Sequence, residues 1–448
     1  MSYQGMKVLV VGAGLSGVDA CRFFLKQGAQ VILTDSKSRD RLSREALALE
    51  RQGVTLRLGN LLPETVDWDL VVASPGVPLG LPVFLMSRRA GVEVIGEIEL
   101  AWRQASRPFI GITGTNGKTT TTAMTAYILE QLGRKILLGG NIGQPLVSSI
   151  GNFKGDYVVA ELSSFQLESC VRFAPHIAAF LNLSPDHLDR HGSLEAYAAA
   201  KANIFARQSE TDFAILNWDT PYLRELAPSL TAQVRWFSLE QPVDNGMYYQ
   251  DGQVFFVRDG ASVYDFAAND IYIKGRHNVA NAMAASIAAW ETGGEPNAIA
   301  KALTTFPGVA HRLEFVCERD GVTYINDSKG TNPDSTMQAL AAYDQPMILL
   351  LGGRNKGCDM EPLMRRVKQR VRLAILFGEA TVELKNAADT VGMKDYMIAD
   401  DFEDAVRRAQ AAARPGDVVM LSPACTSWDA FPNFEVRGDR FKALVRAE

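Results

Sequence analysis

Residues 111–120 read GITGTNGKTT, and they give the strongest indication of how the middle of the chain folds. These residues begin inside an apolar run at 109–113 and lead into a helix-forming segment. This order predicts a strand, a glycine-rich loop and a helix. In a phosphate-binding loop, glycines let backbone N–H groups surround phosphate oxygens, the lysine reaches the β- and γ-phosphates, and the threonine hydroxyl meets Mg²⁺. The strict pattern has glycine where this chain has Ile112. The GTNGKT core still predicts a triphosphate site, with an ordinary tight turn as the alternative.

Short apolar runs, polar turns and helical stretches alternate along the whole chain. Near-continuous apolar strands that alternate with helices are typical of parallel sheets covered on both faces. The runs lie at 7–11, 30–34, 70–74, 109–113, 157–162, 177–182, 213–217, 347–351, 373–377 and 417–421. One sheet of that many strands would be unusually wide, so the 448 residues are predicted to form several α/β domains.

Domain boundaries are predicted where one set of strands ends and the next begins. The first break lies near 96–107 and the second near 306–308, which divides the chain into 1–96, 97–307 and 308–448. In the middle domain, residues 233–272 alternate polar and apolar and contain Asn-Gly at 245–246 and Asp-Gly at 251–252. These dipeptides favour hairpin turns, so a small antiparallel sheet is predicted there as an insertion.

Composition and charge narrow the functional classes. Lys plus Arg is 46 and Asp plus Glu is 51, a net charge of −5, which argues against a general nucleic-acid binder. The 5 cysteines are scattered without a CxxC pair, as fits neither a zinc site nor a disulfide framework. No apolar run reaches the length of a transmembrane helix. We expect a soluble, cytoplasmic monomer without nucleic-acid or membrane partners.

Residues 12–17, GAGLSG, follow the first apolar run and match the glycine fingerprint of dinucleotide-binding folds. Asp35 closes the next run, where the fingerprint has its acidic residue. Three interpretations remain open at this point: a nicotinamide or flavin dinucleotide, another phosphorylated ligand, or glycines that only let the helix pack on the strand.

Acidic, imidazole and basic side chains follow several predicted strands. Glu161 ends the run at 157–162, and His187 follows the run at 177–182. Ligands of parallel sheets bind beyond the carboxyl ends of the strands, so this pair suits metal coordination beside a triphosphate. A predicted hairpin at the start of the third domain is flanked by HRLE at 311–314 and by NDSKGTNP at 326–333. The second segment offers a carboxylate, a hydroxyl and a cation together at Asp327, Ser328 and Lys329.

Several motifs occur together, and in this order they read GTNGKT, ELSSFQLE, LNLSPDHLDRHGSLEAYAAAK, GRHNVANAMAA, HRLE, NDSKGTNPDS and LSPACTSWDAFPNFEVRGDRF. This series resembles the Mur ligases of peptidoglycan synthesis over essentially the whole chain. The resemblance implies an α/β protein of three domains: a Rossmann-like UDP-binding domain, a central P-loop-type ATPase domain with a parallel sheet and a small antiparallel sheet, and a C-terminal Rossmann-like domain that binds the incoming amino acid.

The resemblance also implies a reaction. ATP would phosphorylate the carboxylate of UDP-N-acetylmuramoyl-L-alanine, and D-glutamate would attack the acyl phosphate. ATP is expected at Gly114, Thr115, Asn116, Gly117, Lys118, Thr119, Thr120, Asn278, Asn281, Arg312 and Asp327. The sugar nucleotide is expected at Leu15, Ser16, Ser36, Lys37, Gly76, Asn141 and His187. The amino acid is expected at Thr331, Lys356, Ser427, Trp428 and Phe434. Arg354, close to Lys356, departs from an acidic residue of some members.

Metal and catalytic groups follow from the same resemblance. Two Mg²⁺ ions are expected, with ligands from Thr119, Glu161, His187 and Lys201. The catalytic groups are expected to be Lys118, Lys201, His187 and Lys329. On spacing alone, Lys201 would be an exposed helix lysine four residues after Tyr197. The resemblance instead implies that Lys201 is carbamylated, which would replace a cation that repels Mg²⁺ with an oxygen-bearing anion.

Two rival functions come from other protein classes. A dinucleotide-dependent oxidoreductase would explain residues 12–17 but would leave GTNGKT without a role. A P-loop switch or motor protein would explain GTNGKT but not the first domain. The family resemblance accounts for both motifs, because a nucleotide-diphosphate sugar can bind at the same glycine turn as a dinucleotide.

Overall fold

The computed structural model describes residues 2–59, 65–141 and 145–447. Two compact units are present, the first formed by Met1–Ile271 with Ala280–Thr305 and the second by Tyr272–Val279 with Phe306–Glu448. The first unit contains two β-sheets and the second contains one. The predicted class, an α/β fold of three domains, is confirmed, and each of the ten apolar runs contains a strand.

The first sheet has five parallel strands in the order β3-β2-β1-β4-β5. Val8 and Val10 of β1 pack in the same core as Phe24, whereas Leu9 and Val11 lie in a second core with Phe84. Alternate residues therefore bury opposite faces of the sheet, as a continuous apolar run predicts. The elements are β1 Lys7–Val11, α1 Leu15–Lys26, β2 Gln30–Asp35, α2 Arg44–Ala48, β3 Thr55–Leu58, β4 Leu70–Ala73, α3 Pro82–Arg89, β5 Glu93–Gly96 and α4 Glu97–Gln104.

The second sheet has nine strands in the order β14-β13-β12-β11-β10-β9-β6-β8-β7. Its strands are β6 Phe109–Thr113, β7 Ile136–Gly140, β8 Tyr157–Glu161, β9 Ile177–Phe180, β10 Phe213–Asn217, β11 Gln233–Ser238, β12 Gly246–Gln250, β13 Gln253–Arg258 and β14 Ala261–Ala267. The helices between and after these strands are α5 Lys118–Gln131, α6 Leu146–Ile150, α7 Ser164–Leu167, α8 Leu188–His191, α9 Leu194–Ala202, α10 Pro221–Leu226, α11 Arg276–Glu291 and α12 Pro296–Leu303.

The predicted small antiparallel part of the middle domain is present, and it is continuous with the second sheet. β12, β13 and β14 are antiparallel to one another, but β11 pairs in parallel with both β10 and β12, so all these strands extend the one sheet. The edge of β11 presents backbone groups that need partners, and β12 supplies them. The predicted turn at Asp251 and Gly252 is confirmed, with φ of 49° and 85°. The turn predicted at 245–246 is wrong, because Gly246 is already the first residue of β12.

The third sheet has six strands in the order β15-β16-β20-β17-β18-β19. Only the β15–β16 hairpin is antiparallel, as predicted from the flanking motifs. Leu349 and Leu351 of β17 face one core, and Ile348 and Leu350 face the other. The elements are β15 Glu314–Arg319, β16 Val322–Asn326, α13 Pro333–Leu340, β17 Met347–Gly352, α14 Glu361–Arg370, β18 Leu373–Phe377, α15 Thr381–Thr390, β19 Tyr396–Ile398, α16 Phe402–Ala412, β20 Val418–Ala424 and α17 Phe434–Arg446. Within the described part of the chain, no helix has the length and apolar character to cross a bilayer.

Candidate active site

The loop between β6 and α5 lies between two neighbouring strands of the second sheet. β6 pairs with β8 on one side and β9 on the other, all in parallel, so the segments after these strands meet at one edge. Gly114 and Gly117 have φ of 152° and 83°. A Cβ on Gly117 would also overlap the amide of Asn281 on α11. The predicted strand–loop–helix is therefore present, and glycine is required at Gly117 by conformation and by space.

The segment after β9 braces the loop. The side chain of Asn182 accepts the Asn116 N–H at 2.8 Å and donates to the Asn116 carbonyl at 3.0 Å. The Thr115 hydroxyl exchanges hydrogen bonds with the backbone of Ser184 at 3.1 and 3.0 Å. Neither Asn182 nor Ser184 was predicted as a site residue. Their positions directly after an apolar strand are the signal that could have identified them.

Lys118 and Lys201 meet at the first glycine of the loop core. Lys118 Nζ donates to the carbonyl oxygens of Gly114 and Thr115 at 2.8 and 2.7 Å, and Lys201 Nζ donates to the same Gly114 oxygen at 2.7 Å. Lys201 is only 1% exposed, so the expectation of an exposed helix lysine is wrong. Its Nζ lies 4.5 Å from the centre of the Tyr197 ring. Burial lowers the pKa of Lys201 well below its ordinary value, and the charge of Lys118 lowers this pKa further.

Glu161 supplies a buried carboxylate at the same edge of the sheet. Its Oε1 accepts the side-chain amide of Asn141 at 2.8 Å. Its Oε2 is buried and has no hydrogen-bond partner among the described residues. A buried carboxylate oxygen without a partner is rare in folded proteins and suits a bound cation. The residues therefore fit Mg²⁺, which takes oxygen ligands.

His187 caps α8 with a left-handed backbone, φ 51°. Its ring contacts the edge of Phe165 with the centroids 5.0 Å apart, and its Nε2 lies 3.7 Å from the Asp186 carboxylate. In the described ranges, no three His, Cys, Asp or Glu side chains form a ready metal cluster. Mg²⁺ near a triphosphate commonly uses one or two protein ligands together with phosphate oxygens and water. The charge of Asp186 acts to raise the pKa of Lys201, against the effect of burial. Asp186 is a further acidic residue that was not predicted as part of the site.

The glycine turn of the first sheet uses its acidic residue internally. The two oxygens of the Asp35 carboxylate accept the N–H groups of Ala13 at 2.7 Å and Lys37 at 2.8 Å. A dinucleotide-binding fold instead directs this carboxylate to a ribose hydroxyl. A Cβ on Gly17 would overlap the carbonyl of Gly12, so close helix–strand packing is one reason for the glycines. This arrangement disfavours the dinucleotide interpretation.

The expected sugar-nucleotide residues of the first sheet lie at one edge. β2, β1 and β4 are neighbours in parallel, and the segments that follow them carry the residues Leu15, Ser16, Ser36, Lys37 and Gly76. The Leu15 side chain is 79% exposed, which leaves an apolar surface for a ligand. Ser16 bonds to the buried carboxyl of Glu97, whose pKa is raised by burial. Asn141 and His187 follow β7 and β9 of the second sheet.

The second unit has its own cluster at the carboxyl ends of β16, β20 and β17. Asp327 follows β16, is buried, and accepts the Ser422 hydroxyl at 2.7 Å and the Leu313 N–H at 3.2 Å. Burial raises the pKa of the Asp327 carboxyl to about 6, although the charge of Arg312 acts in the opposite direction. Lys329 Nζ lies 5.3 Å from the centre of the Phe434 ring. In the same unit, Asn278 donates from its amide to the carbonyl of Lys274 at 2.7 Å.

The expected amino-acid residues follow the same three strands and the start of α17. Ser427 is buried and Thr331 is partly buried. Lys356 is exposed, and Trp428 is 62% exposed. The loops are joined by paired backbone hydrogen bonds between 354 and 426, and Arg354 itself makes a two-pronged ion pair with Glu379. A fully buried arginine on α17 also belongs to this cluster and was not predicted from the sequence. This residue, Arg437, donates to the hydroxyl and carbonyl of Ser328 and to the carbonyl of Cys425.

A glycine-rich phosphate loop with a buried carboxylate at the same sheet edge is typical of proteins that bind a nucleoside triphosphate with Mg²⁺. Three family models match the chain: the N-terminal domain of MurD-like Mur ligases at 6–96, the Mur ligase middle domain at 112–289, and the glutamate ligase domain of Mur ligases at 311–425. The chain belongs to the Mur ligase family, whose members are ATP-dependent amide ligases. This assignment removes the oxidoreductase and the P-loop switch as alternatives.

Relatives of known name cover the whole chain. A protein of Pelotomaculum thermopropionicum is 44% identical over 98% of this chain and 97% of its own length, and one of Clostridioides difficile is 41% identical over 99% of each. Both are named UDP-N-acetylmuramoylalanine–D-glutamate ligase. Among solved structures, the MurF ligase of Thermotoga maritima in complex with ADP aligns with a TM-score of 0.62 at 18% identity, covering 98% of this chain and 94% of that one. The MurC ligase of the same organism aligns with a TM-score of 0.59, also at 18% identity, covering 98% and 99%. These two share the fold.

Proposed function

We propose that this chain joins D-glutamate to UDP-N-acetylmuramoyl-L-alanine at the expense of ATP, in the cytoplasmic synthesis of peptidoglycan precursors. The names of the full-length relatives support the substrates. The observation that carries the chemistry is the buried Glu161 Oε2, which lacks a hydrogen-bond partner within the described part of the chain and lies at the same sheet edge as Lys118 and the phosphate loop.

Activation of a carboxylate explains why ATP is needed. A carboxylate repels nucleophiles and has no good leaving group, and transfer of the γ-phosphoryl group to it changes both properties. The amine of D-glutamate then attacks the carbonyl of the acyl phosphate, and the tetrahedral intermediate collapses to an amide and inorganic phosphate. The loop N–H groups, Lys118 and Lys329 would hold and neutralise the phosphate oxygens, since phosphoryl transfer depends mainly on positioning and charge.

Metal binding is proposed at the second sheet. Thr119, Glu161 and His187 would hold two Mg²⁺ ions, which neutralise phosphate charge when bound. Lys201 would join them as a carbamate, formed when a neutral amine adds to the carbon of carbon dioxide and loses a proton. The burial of Lys201 supports this role, because burial lowers the pKa of its amine and the neutral amine is the form that adds to carbon dioxide.

Substrate sites are proposed for the other two sheets. The sugar nucleotide would bind at the first sheet through the segments that hold Leu15, Lys37 and Gly76. D-glutamate would bind at the third sheet, where Lys356 and Arg437 are the nearby cations, with Trp428 exposed beside Ser427. We further propose that Asn278, Asn281, Arg312 and Asp327 bind ATP, that the functional domains are 1–96, 97–307 and 308–448, and that the enzyme acts as a monomer.

One assay tests the proposed function. Phosphate release from ATP is measured with each UDP-muramoyl precursor, with and without D-glutamate, and with L-alanine or a diamino acid in its place. Release is expected only when UDP-N-acetylmuramoyl-L-alanine and D-glutamate are both present. Equal release with another amino acid, or ATP hydrolysis that ignores the sugar nucleotide, would refute the proposal.

A further inference from the structure

The short helix α8 ends in two side chains that share one acidic partner. Arg190 Nη2 donates to Glu168 Oε2 at 3.1 Å, and His191 Nδ1 lies 3.1 Å from Glu168 Oε1. The other ring nitrogen of His191, Nε2, lies 3.0 Å from the hydroxyl of Ser164. Both carboxylate oxygens of Glu168 are therefore engaged by α8.

Glu168 caps the helix α7, which begins three residues after Glu161, and α8 begins directly after His187. The contacts of Glu168 with Arg190 and His191 thus hold the segment that carries Glu161 against the segment that carries His187. Phe165 of α7 adds to this contact, because the His191 ring stacks on it at 5.5 Å and 16°. The segments of α7 and α8 are therefore packed against each other through both polar and ring contacts.

Arg190 also reaches from this block to the first sheet. Its Nη2 donates to the carbonyl of Val77 at 3.2 Å, and its Nη1 lies 3.5 Å from the carbonyl of Gly76. The guanidinium sits 4.9 Å above the Phe165 ring, and its side chain is only 16% exposed. A planar guanidinium can serve a carboxylate, two carbonyls and a ring face at once, whereas a lysine ammonium cannot.

The turn that Arg190 holds is attached to the glycine fingerprint. The N–H of Val77 donates to the carbonyl of Ser74 at 3.0 Å, and the Ser74 hydroxyl donates to the carbonyl of Gly12 at 3.1 Å. Direct contacts therefore run from Gly12 through Ser74 and Val77 to Arg190.

We propose that Arg190 is a positioning residue for the sugar nucleotide. It fixes the turn 74–77, which carries Gly76, at the distance from His187 that the diphosphate and the acyl end of the substrate require. This inference rests on the proposed function of the first sheet. Without the guanidinium, the turn occupies its binding conformation for only part of the time, and apparent affinity falls by that fraction. ATP affinity is spared, because the phosphate loop is braced separately by Asn182.

The test uses the full-length enzyme with Arg190→Met and Arg190→Lys, and Arg207→Met as the control. Arg207 is exposed on the same sheet domain and donates to the carbonyl of its neighbour Ala206. Dissociation constants for UDP-N-acetylmuramoyl-L-alanine and for a non-hydrolysable ATP analogue are measured by calorimetry, together with the KM of each substrate and the thermal unfolding midpoint.

Arg190→Met is expected to weaken binding of the sugar nucleotide at least tenfold and of the ATP analogue less than twofold. Arg190→Lys should fall between Arg190→Met and wild type, and Arg207→Met should match wild type. Equal weakening of both ligands, or a lowered unfolding midpoint with unchanged affinities, would show a merely structural role and overturn the proposal. If the wild-type enzyme itself does not bind the sugar nucleotide, the proposed function fails instead.

Discussion

Lys118 and Lys201 donate to one and the same atom, the carbonyl oxygen of Gly114, at 2.8 and 2.7 Å. Two ammonium groups that share one acceptor repel each other, and Lys201 is the buried member of the pair. Burial and the charge of Lys118 both lower the pKa of Lys201, which favours the neutral form of its amine. The charge of Lys118, the lysine of the phosphate loop, therefore acts directly on the pKa of Lys201, the lysine that is expected to carry the carbamate.

Lys118→Ala is expected to reduce turnover by about 10²–10³-fold, because the proposed function assigns the Lys118 charge to the transferred phosphoryl group. The fold should survive, since the two carbonyls that Lys118 contacts belong to a loop with other bonds. Turnover and circular dichroism are measured together, with Lys154→Ala, an exposed lysine of the same domain, as the control. Near-normal turnover in Lys118→Ala would rule out the phosphate-loop assignment.

Lys201→Ala should be nearly inactive and should regain part of its activity with acetate or formate, which can occupy the vacated anion position. Lys201→Arg should stay inactive, because a guanidinium does not form a carbamate and keeps its charge. A ¹³C carbamate signal after incubation with labelled bicarbonate should be present in wild type and absent in both variants. Full activity in Lys201→Arg would refute the carbamate role.

Glu161→Gln should raise the Mg²⁺ concentration for half-maximal activity by about 10–100-fold, since the variant replaces with a neutral group the carboxylate oxygen that has no hydrogen-bond partner among the described residues. Metal-free stability should be unchanged or higher, because an uncompensated buried charge is removed. Activity is titrated with Mg²⁺ for wild type, Glu161→Gln and the exposed control Glu130→Gln. An unaltered Mg²⁺ dependence in Glu161→Gln would contradict metal binding at this carboxylate.

Asp327 should make the second unit less stable as the pH rises. Its folded pKa, about 6, lies above the ordinary value of 3.8, so the folded state binds the proton more tightly than the unfolded state. The stabilisation is complete below pH 4 and is lost as the pH rises through 6. Between pH 5 and 7.5 the loss is about 1 kcal/mol by this linkage.

The measurement compares unfolding of wild type and Asp327→Asn across that pH range. Asparagine keeps the shape of the side chain but does not titrate, so the difference in unfolding free energy should move in favour of the variant as the pH rises. A difference that stays constant, or that moves towards wild type, would show that Asp327 is ionised in the fold at all these pH values.

Much of the fold could be predicted from short stretches of adjacent residues. The ten apolar runs contain strands because β-branched and aliphatic residues in short stretches between turns have few alternatives to a buried parallel strand. The phosphate loop was predictable for the same reason, as its glycines and its position between strand and helix are properties of adjacent residues. The family motifs extended this information to residues far apart in the chain.

Long-range packing decided the rest. Residues 233–272 have hairpin signals, but only the free edge of β11 determines that β12 to β14 join the large sheet. Asp35 fits the dinucleotide fingerprint by spacing, but the positions of the Ala13 and Lys37 N–H groups decide what its carboxylate binds.

The class of fold, the strands, the phosphate loop and the family were all predictable, because each depends on the order of residues along the chain. Only the tertiary structure placed Lys201 against the Gly114 carbonyl and Arg190 between Glu168 and the Val77 turn. Spacing along α9 and α8 shows which side chains share a helix face, but burial depends on which surface packs against that face. That surface is formed by residues far away in the sequence. The burial of Lys201 and the contacts of Arg190 could therefore not be predicted from the pattern of neighbouring residues.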